Sequence, residues 1–223
     1  MAERSGRALL TEAARAAQRS PVAHLAEIER ARTAARRVPR HLCRLAEAFD
    51  GLRLAYGSLH DPDAEAREMF SILGAKRCFC PSAAGAARLA RMVNDPVILS
   101  GSQLAGAAES ASNTADLVAA GHVDVLVSDA TPGALAAAAF ELAAQGLMPL
   151  VRAWALISVA AAAIVGLTDR GRIDYGLRAD LTVVNAATQA IEAMLVAGRP
   201  VHLSGALAHH FASVWPGQSL AAV

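Results

Sequence analysis

Residues 121–132, GHVDVLVSDATP, decide the fold. VDVLVS (123–128) is a continuous apolar run broken only by Asp124. Gly121-His122 bound it on one side and Asp129 on the other, as expected of a strand covered on both faces. Thr131-Pro132 then opens an alanine-rich helix reaching Ala144, stopped by Gln145-Gly146. The same strand-then-helix unit recurs three times upstream. LRLAYGS (52–58) is followed by the turn HDPD (60–63) and a helix from Ala64 to Leu73, closed by Gly74. RCFC (77–80) and Pro81-Ser82 lead into a helix ending near Val93, and PVILS (96–100) precedes a short helix from Asn113 to about Ala120. Four such alternations between residues 52 and 145 imply parallel strands joined by helical crossovers, the α/β class. Four units are half of an eight-unit barrel, or a small open sheet.

Outside this block the rhythm changes. From Ser5 to about Asp50 apolar residues recur every third or fourth position, a helical pattern. Ser20-Pro21 reads as an N-cap with proline at the first helical position, and Val38-Pro39 as a further helix boundary. A single helix fits Pro149 to Val165. GRIDYGLRADLTVV (171–184) is a glycine-punctuated turn feeding a strand, and EAMLVAG (192–198) with RPVHL (199–203) forms a hairpin around Gly198-Arg199. The expected organisation is N-terminal Arg/Ala-rich helices over 1–50, a partial barrel over 51–168, a small β domain over 169–205 and a tail over 206–223, loosely ordered from His209 onward.

The chain has 223 residues, too few for a complete barrel of roughly 250 residues plus further modules. Twenty-one basic residues against 20 acidic ones exclude a dedicated nucleic-acid coat. The ten arginines of residues 1–45 stand among alanines and glutamates at helical spacing without interleaved aromatics, so a solvated helix face is expected and no nucleic-acid partner. Three cysteines make no disulfide framework. MAERSGRALL has no apolar signal core, and the uncharged run Ala153–Leu167 is shorter than the ~20 residues that span a bilayer. A cytoplasmic protein without a membrane partner is the expectation.

In parallel α/β folds the chemistry gathers at the carboxyl ends of strands. His60 and Asp61 follow the first strand and Asp129 the fourth. An imidazole and a carboxylate entering one pocket suit a divalent metal, with Asp129 also taking a proton from an attacking water. The competing reading makes His60 a turn residue and Asp129 a helix cap. Cys78-x-Cys80 sets two thiols on one strand face without further ligands at metal spacing, which favours buried strand residues. Ser110, Ser112 and Asn113 lie in a loop before a helix, as anion ligands or as plain caps. His209-His210 sit in the tail with nothing polar converging on them.

Several segments resemble, in order, the PhnM family of phosphonate-metabolism diphosphatases in the amidohydrolase superfamily. VSDATP (127–132) is similar to its SDYxP segment, SLHDPD (58–63) to SHDD, and CPSA (80–83) to FPTT. GLTDRGRI (166–173) through RADL (178–181) is similar to a stretch shared broadly among amidohydrolases, and GRPV (198–201) to the last hairpin. The resemblance spans roughly residues 40 to 203. It departs where the first-strand His-x-His has no counterpart and where AESASN (108–113) stands for GSHSGN, with Ser110 at the histidine.

This resemblance implies the C-terminal half of a TIM-type (β/α) barrel with a small β element from a composite β-sandwich domain. It implies a metal-dependent hydrolase that releases diphosphate from a ribosyl 5-triphosphate alkylphosphonate, a small phosphorylated substrate. His60 and Asp129 would hold a divalent metal, zinc first among the candidates unless the site has been lost. Asp129 would be the catalytic carboxylate, and Asp61 and Asn113 would contact substrate. The alternative is a catalytically inactive amidohydrolase-like protein serving as a binding or interaction subunit. A half barrel leaves its first and last strands unpaired, which motivates homo-oligomerisation.

Overall fold

The computed structural model describes residues 2–51, 55–104, 109–128 and 134–214. The chain divides into two compact units, Met1–Ala55 and Tyr56–Val223. Among the described residues no helix is long and apolar enough to cross a membrane.

The first unit is helical: α1 (Ala2–Ala16), α2 (Pro21–Ala35) and α3 (Val38–Gly51). Ser20 caps α2 as its sequence predicts: its hydroxyl accepts from the Ala23 N–H at 3.2 Å while Pro21 occupies the first turn. α1 and α2 pack on one another around the buried Ala14. Leu9, Leu25 and Ile28 stay exposed beside a Glu27–Arg30 ion pair of 2.7 Å.

The second unit opens with the four strand–helix units. Strand β1 (Ser58–Leu59) precedes helix α4 (Ala64–Ile72), β2 (Cys78–Phe79) precedes α5 (Ala84–Met92), and β3 (Val97–Ser100) precedes a 3-10 turn (Gly101–Gln103) and α6 (Glu109–Ala119). β4 (Val125–Val127) precedes α7 (Ala134–Ala144). The strands lie in the order β1-β2-β3-β4, all parallel, with Leu59, Phe79, Ile98 and Val125 in one row across the sheet. The α/β alternation is therefore present as a parallel sheet with helices. Alternation along each strand sends Cys78, Val97, Leu99 and Leu126 to the helix side, where they join Ala87, Ala90, Ala138, Ala139 and Leu142 in the core. Alanines on α5 and α7 let these helices approach the sheet closely, which is why the core needs few aromatics.

Asp63 caps α4 through the Ala66 N–H at 2.8 Å, and Gly74 takes the left-handed conformation that ends it. α6 starts at Glu109 rather than Asn113, so Ser110, Ser112 and Asn113 belong to the helix and not to a loop before it. The anchoring of Leu117 and Val118 in the core outweighs the modest helix propensity of that serine-rich turn.

The single helix expected over Pro149–Val165 is two, α8 (Leu150–Ile157) and α9 (Val159–Ile164). Ser158 departs from helical geometry at φ −123, ψ −88, and its hydroxyl donates back to the Trp154 carbonyl at 2.8 Å. Gly171 packs against this break. A Cβ there would meet the Val159 Cα at 2.9 Å, and its φ of +97 already favours glycine.

Strands β5 (Leu181–Val184), β6 (Ile191–Val196) and β7 (Arg199–Leu203) form an antiparallel three-stranded sheet. The β6–β7 turn centres on Ala197-Gly198, both at positive φ, one residue before the expected position. The loose order expected from His209 onward is corrected over residues 209–214: Gly205–Val214 is a helix, α10, that packs on β6 and carries His209 and His210, while residues 215–223 lie outside the described residues.

Candidate functional site at the strand mouths

Backbone geometry sets up the site. Gly57 precedes β1 so closely against β2 that a Cβ would overlap the Arg77 carbonyl, which accepts from the Ser58 N–H at 3.0 Å. The ladder continues past the strand ends, with the His60 N–H on the Phe79 carbonyl at 2.9 Å and the Cys80 N–H on the Ile98 carbonyl at 2.8 Å. Immediately there, His60 (φ 59) and Cys80 (φ 44) both enter the left-handed region. For residues with a Cβ this costs roughly 1–2 kcal/mol each. The two turns are laced by Ser82, whose N–H bonds the Asp61 carbonyl at 3.0 Å and whose hydroxyl bonds the His60 carbonyl at 3.3 Å.

His60, Cys80, Pro81, Ser82, Leu99, Gln103 and Thr114 line a cavity of about 230 Å3 at this carboxyl end of the sheet. The His60 Nδ1 lies 3.0 Å from the Cys80 carbonyl oxygen. A carbonyl only accepts, so Nδ1 is the donor in this contact and Nε2 is the nitrogen left to carry a lone pair toward a metal. This is the orientation by which a backbone carbonyl prepares a histidine for a metal. Thr114 donates to the Gln103 side-chain oxygen at 3.1 Å, which leaves the Gln103 amide nitrogen as a hydrogen-bond donor.

Cys78 and Cys80 do not share a face in one environment, contrary to the strand reading. Cys78 is wholly buried on the helix side, where burial first and the Asp61 charge second push its thiol up to about 12. Cys80 lies beyond the strand end, and its positive φ turns the chain there, so it lines the cavity with His60. Alternation alone could not show this. The legible signal is Pro81, which has no N–H for the ladder, so strand pairing by donors ends at Cys80.

Asp61 belongs to a different arrangement. It is fully buried, accepting at Oδ2 from Ser58 at 2.6 Å and from the Arg67 guanidinium at 3.2 Å. Arg67, also fully buried on α4, ion-pairs with Asp95 at 3.1 Å and donates to the Ala75 carbonyl. This network joins α4 to both ends of β1 and to the segments leading into β2 and β3, and Asp61 is not among the residues lining the cavity. Asn113 is on α6, its side chain outside the described set, and Asp129 lies outside the described residues altogether. Among the described residues no group of three histidine, cysteine, aspartate or glutamate side chains could hold a metal.

The GLTDRGRI–RADL stretch serves structure. Arg170 bonds Asp169 at 2.8 Å and Asp180 at 2.9 Å, while Asp180 receives the Ala197 N–H at 2.8 Å. The Gly198 N–H bonds the Ala179 carbonyl at 2.8 Å, so the motif clasps the entry to β5 onto the β6–β7 turn.

Solved structures share this architecture. A protein described as uncharacterized aligns with a TM-score of 0.58 at 15% identity, covering 74% of this chain and 50% of its own. An amidohydrolase aligns at 0.55 and 17% identity, with 74% and 49% covered. What is shared is the fold, a parallel β-sheet with helices of the partial (β/α)-barrel kind. A prolidase complexed with N-methylphosphonate-L-proline gives 0.56 at 16% identity, again over 74% of this chain and 49% of that one. The chain thus spans about half the length of these structures, and likeness at such identity carries the fold alone. No protein-family model matches the chain, and no curated protein matches it.

Proposed function

We propose that the partial barrel is a metal-dependent hydrolase site of the amidohydrolase type. The observation that carries the reading is His60, held at a strand mouth by the Cys80 carbonyl so that Nε2 is the free donor in a cavity shared with a thiol. Imidazole nitrogen and sulfur suit zinc, and Asp129, two residues beyond β4 in sequence, is the third donor of the proposal. A divalent cation held there would supply Lewis acidity toward a phosphoryl oxygen. His60 would be a ligand, the Cys80 carbonyl orienting its ring, and the Asp129 carboxylate would take the proton of the attacking water. The Gln103 amide nitrogen offers a hydrogen bond to an anionic substrate oxygen. The substrate proposed is the ribosyl 5-triphosphate alkylphosphonate of the resemblance, with diphosphate released and the β5–β7 sheet as part of a composite β domain.

The test is metal content of the protein purified without chelators, together with diphosphate release from a ribosyl triphosphate analogue. Near-stoichiometric zinc that His60→Ala and Asp129→Asn both abolish, with diphosphate release lost in step, supports the reading. A second reading, an inactive binding subunit, is favoured by Asp61, whose carboxylate is committed to the buried Arg67 network. A stably folded, metal-free protein that still binds the analogue would establish it over the first.

A further inference from the structure

A second cavity, of about 350 Å3, opens at the amino-terminal end of the sheet, where β3 and β4 begin and α9 crosses. Its lining has two halves. Val125, Ala160, Ala163 and Ile164 are apolar, while Arg91, Asp95 and Asp124 carry charge. Asp124 is already engaged: Oδ1 accepts from Arg91 at 2.5 Å and Oδ2 from the Val97 N–H at 2.9 Å. Asp95 is not. It is 3% exposed, and its Oδ2 has the Arg67 Nη2 at 3.1 Å without a hydrogen bond, while that Nη2 donates to the Ala75 carbonyl. A buried carboxylate oxygen without a donor is costly.

The imbalance extends inward. Arg67 also serves the fully buried Asp61, whose Oδ1 is equally without a partner. One buried guanidinium thus faces two buried carboxylates, and among the described residues no other basic side chain forms an ion pair with either. The Arg77 guanidinium is engaged by the Ile164 carbonyl at 2.6 Å. Helix α5 ends at this cavity, and its last carbonyls add partial negative charge there. A hard metal ion asks for about six oxygen ligands, and half of this lining is hydrocarbon.

We propose that this cavity binds a small organic cation, a primary ammonium on a short apolar body. The ammonium pairs with Asp95, and the body lies against Ala160, Ala163 and Ile164. Such a cation supplies the donor that the Asp95 Oδ2 lacks and the positive charge that Arg67 divides between two carboxylates. The cavity shares no lining residue with the one that holds His60, at the other end of the sheet. The proposal therefore does not depend on the hydrolase reading, and either can fail alone.

The probe is benzylammonium, titrated calorimetrically into the full chain at about pH 7, with benzyl alcohol and benzoate as neutral and anionic matches of similar shape. Benzylammonium should saturate one site per chain and bind at least ~10-fold more tightly than either match. Asp95→Asn should weaken it at least ~10-fold. Ala163→Phe, at an exposed position on α9, should fill the cavity and abolish binding while circular dichroism is unchanged. No saturation below ~20 mM, benzyl alcohol or benzoate binding as tightly, or wild-type affinity in either variant would overturn the proposal. If Asp95→Asn misfolds, Ala163→Phe and the comparison of the three probes on the wild-type chain decide it.

Discussion

Two cysteines separated by a single phenylalanine have opposite chemistry because one lies within the strand and the other just beyond it. Cys78 is sealed among Leu99, Ala87 and Ala90, and its thiol is pushed up to about 12 by burial and by the Asp61 carboxylate. Native protein treated with iodoacetamide at pH 8 should therefore show no alkylation of Cys78 by mass spectrometry, while exposed Cys43 reacts. Unfolded Cys78 ionises above about 9 and folded Cys78 does not, so its contribution to stability is whole below pH 9 and declines as pH rises toward 12. Melting temperatures across that interval should fall less steeply for Cys78→Val, and an unchanged slope would dismiss the assignment. Arg67 offers the complementary case. Its guanidinium is fully buried between Asp61 and Asp95, and Arg67→Met would leave two carboxylates in the interior without their cation. Urea unfolding should register a loss of about 3–5 kcal/mol; a loss under ~1 kcal/mol would mean that water reaches the network.

At the scale of elements, the β5–β7 sheet is held at its entry by the Asp169–Arg170–Asp180 clasp. The Arg170 hydrogen bond holds the Asp169 carboxyl below its ordinary 3.8. A lowered carboxyl stabilises the fold above its unfolded value and ceases to do so as pH falls through the folded one. Thermal melts should accordingly separate wild type from Arg170→Gln at pH 6, and the gap should narrow as pH falls below 3.8. A gap that stays constant would remove the clasp from the acid response. The elements themselves were largely legible. Apolar runs bounded by glycine, proline and serine located β2, β3 and β4, whereas the first strand, expected over 52–58, is Ser58–Leu59, with 55–57 outside it and 52–54 outside the described residues. Ser20 and Gly74 bound their helices by local chemistry that a sequence displays. The Ser158 break was not legible in its local sequence, and Gly171, thirteen positions later, packs against it. The site was half legible. His60 at a strand mouth follows from the alternation, but Cys80 beside it depends on a backbone turn at φ 44, and Asp61's engagement depends on Arg67 reaching back from α4.

At the scale of the molecule, the two units differ in what stabilises them. The second has a continuous core from Cys78 to Ala153, fed by three strands and four helices. In the first, Ala14 is the buried apolar residue among those described, and α2 has none. Helices of fifteen residues are marginal on their own in water, and burying one methyl group adds under ~1 kcal/mol. Ion pairs such as Glu27–Arg30 are exposed and contribute a few tenths of a kcal/mol at most. Helical pattern was thus readable over residues 5–50, while the strength of the helices was not, since it depends on contacts rather than on periodicity. Hydrogen exchange should separate the units: amides of α1–α3 should exchange orders of magnitude faster than those of β3 and β4, whose opening requires the core to be breached. The same experiment in 0.5 M salt should leave β3 and β4 unchanged and speed α1–α3 slightly as their surface ion pairs are screened. Protection in α1–α3 equal to that of the sheet would mean that these arginine-rich helices are buried against a partner in solution.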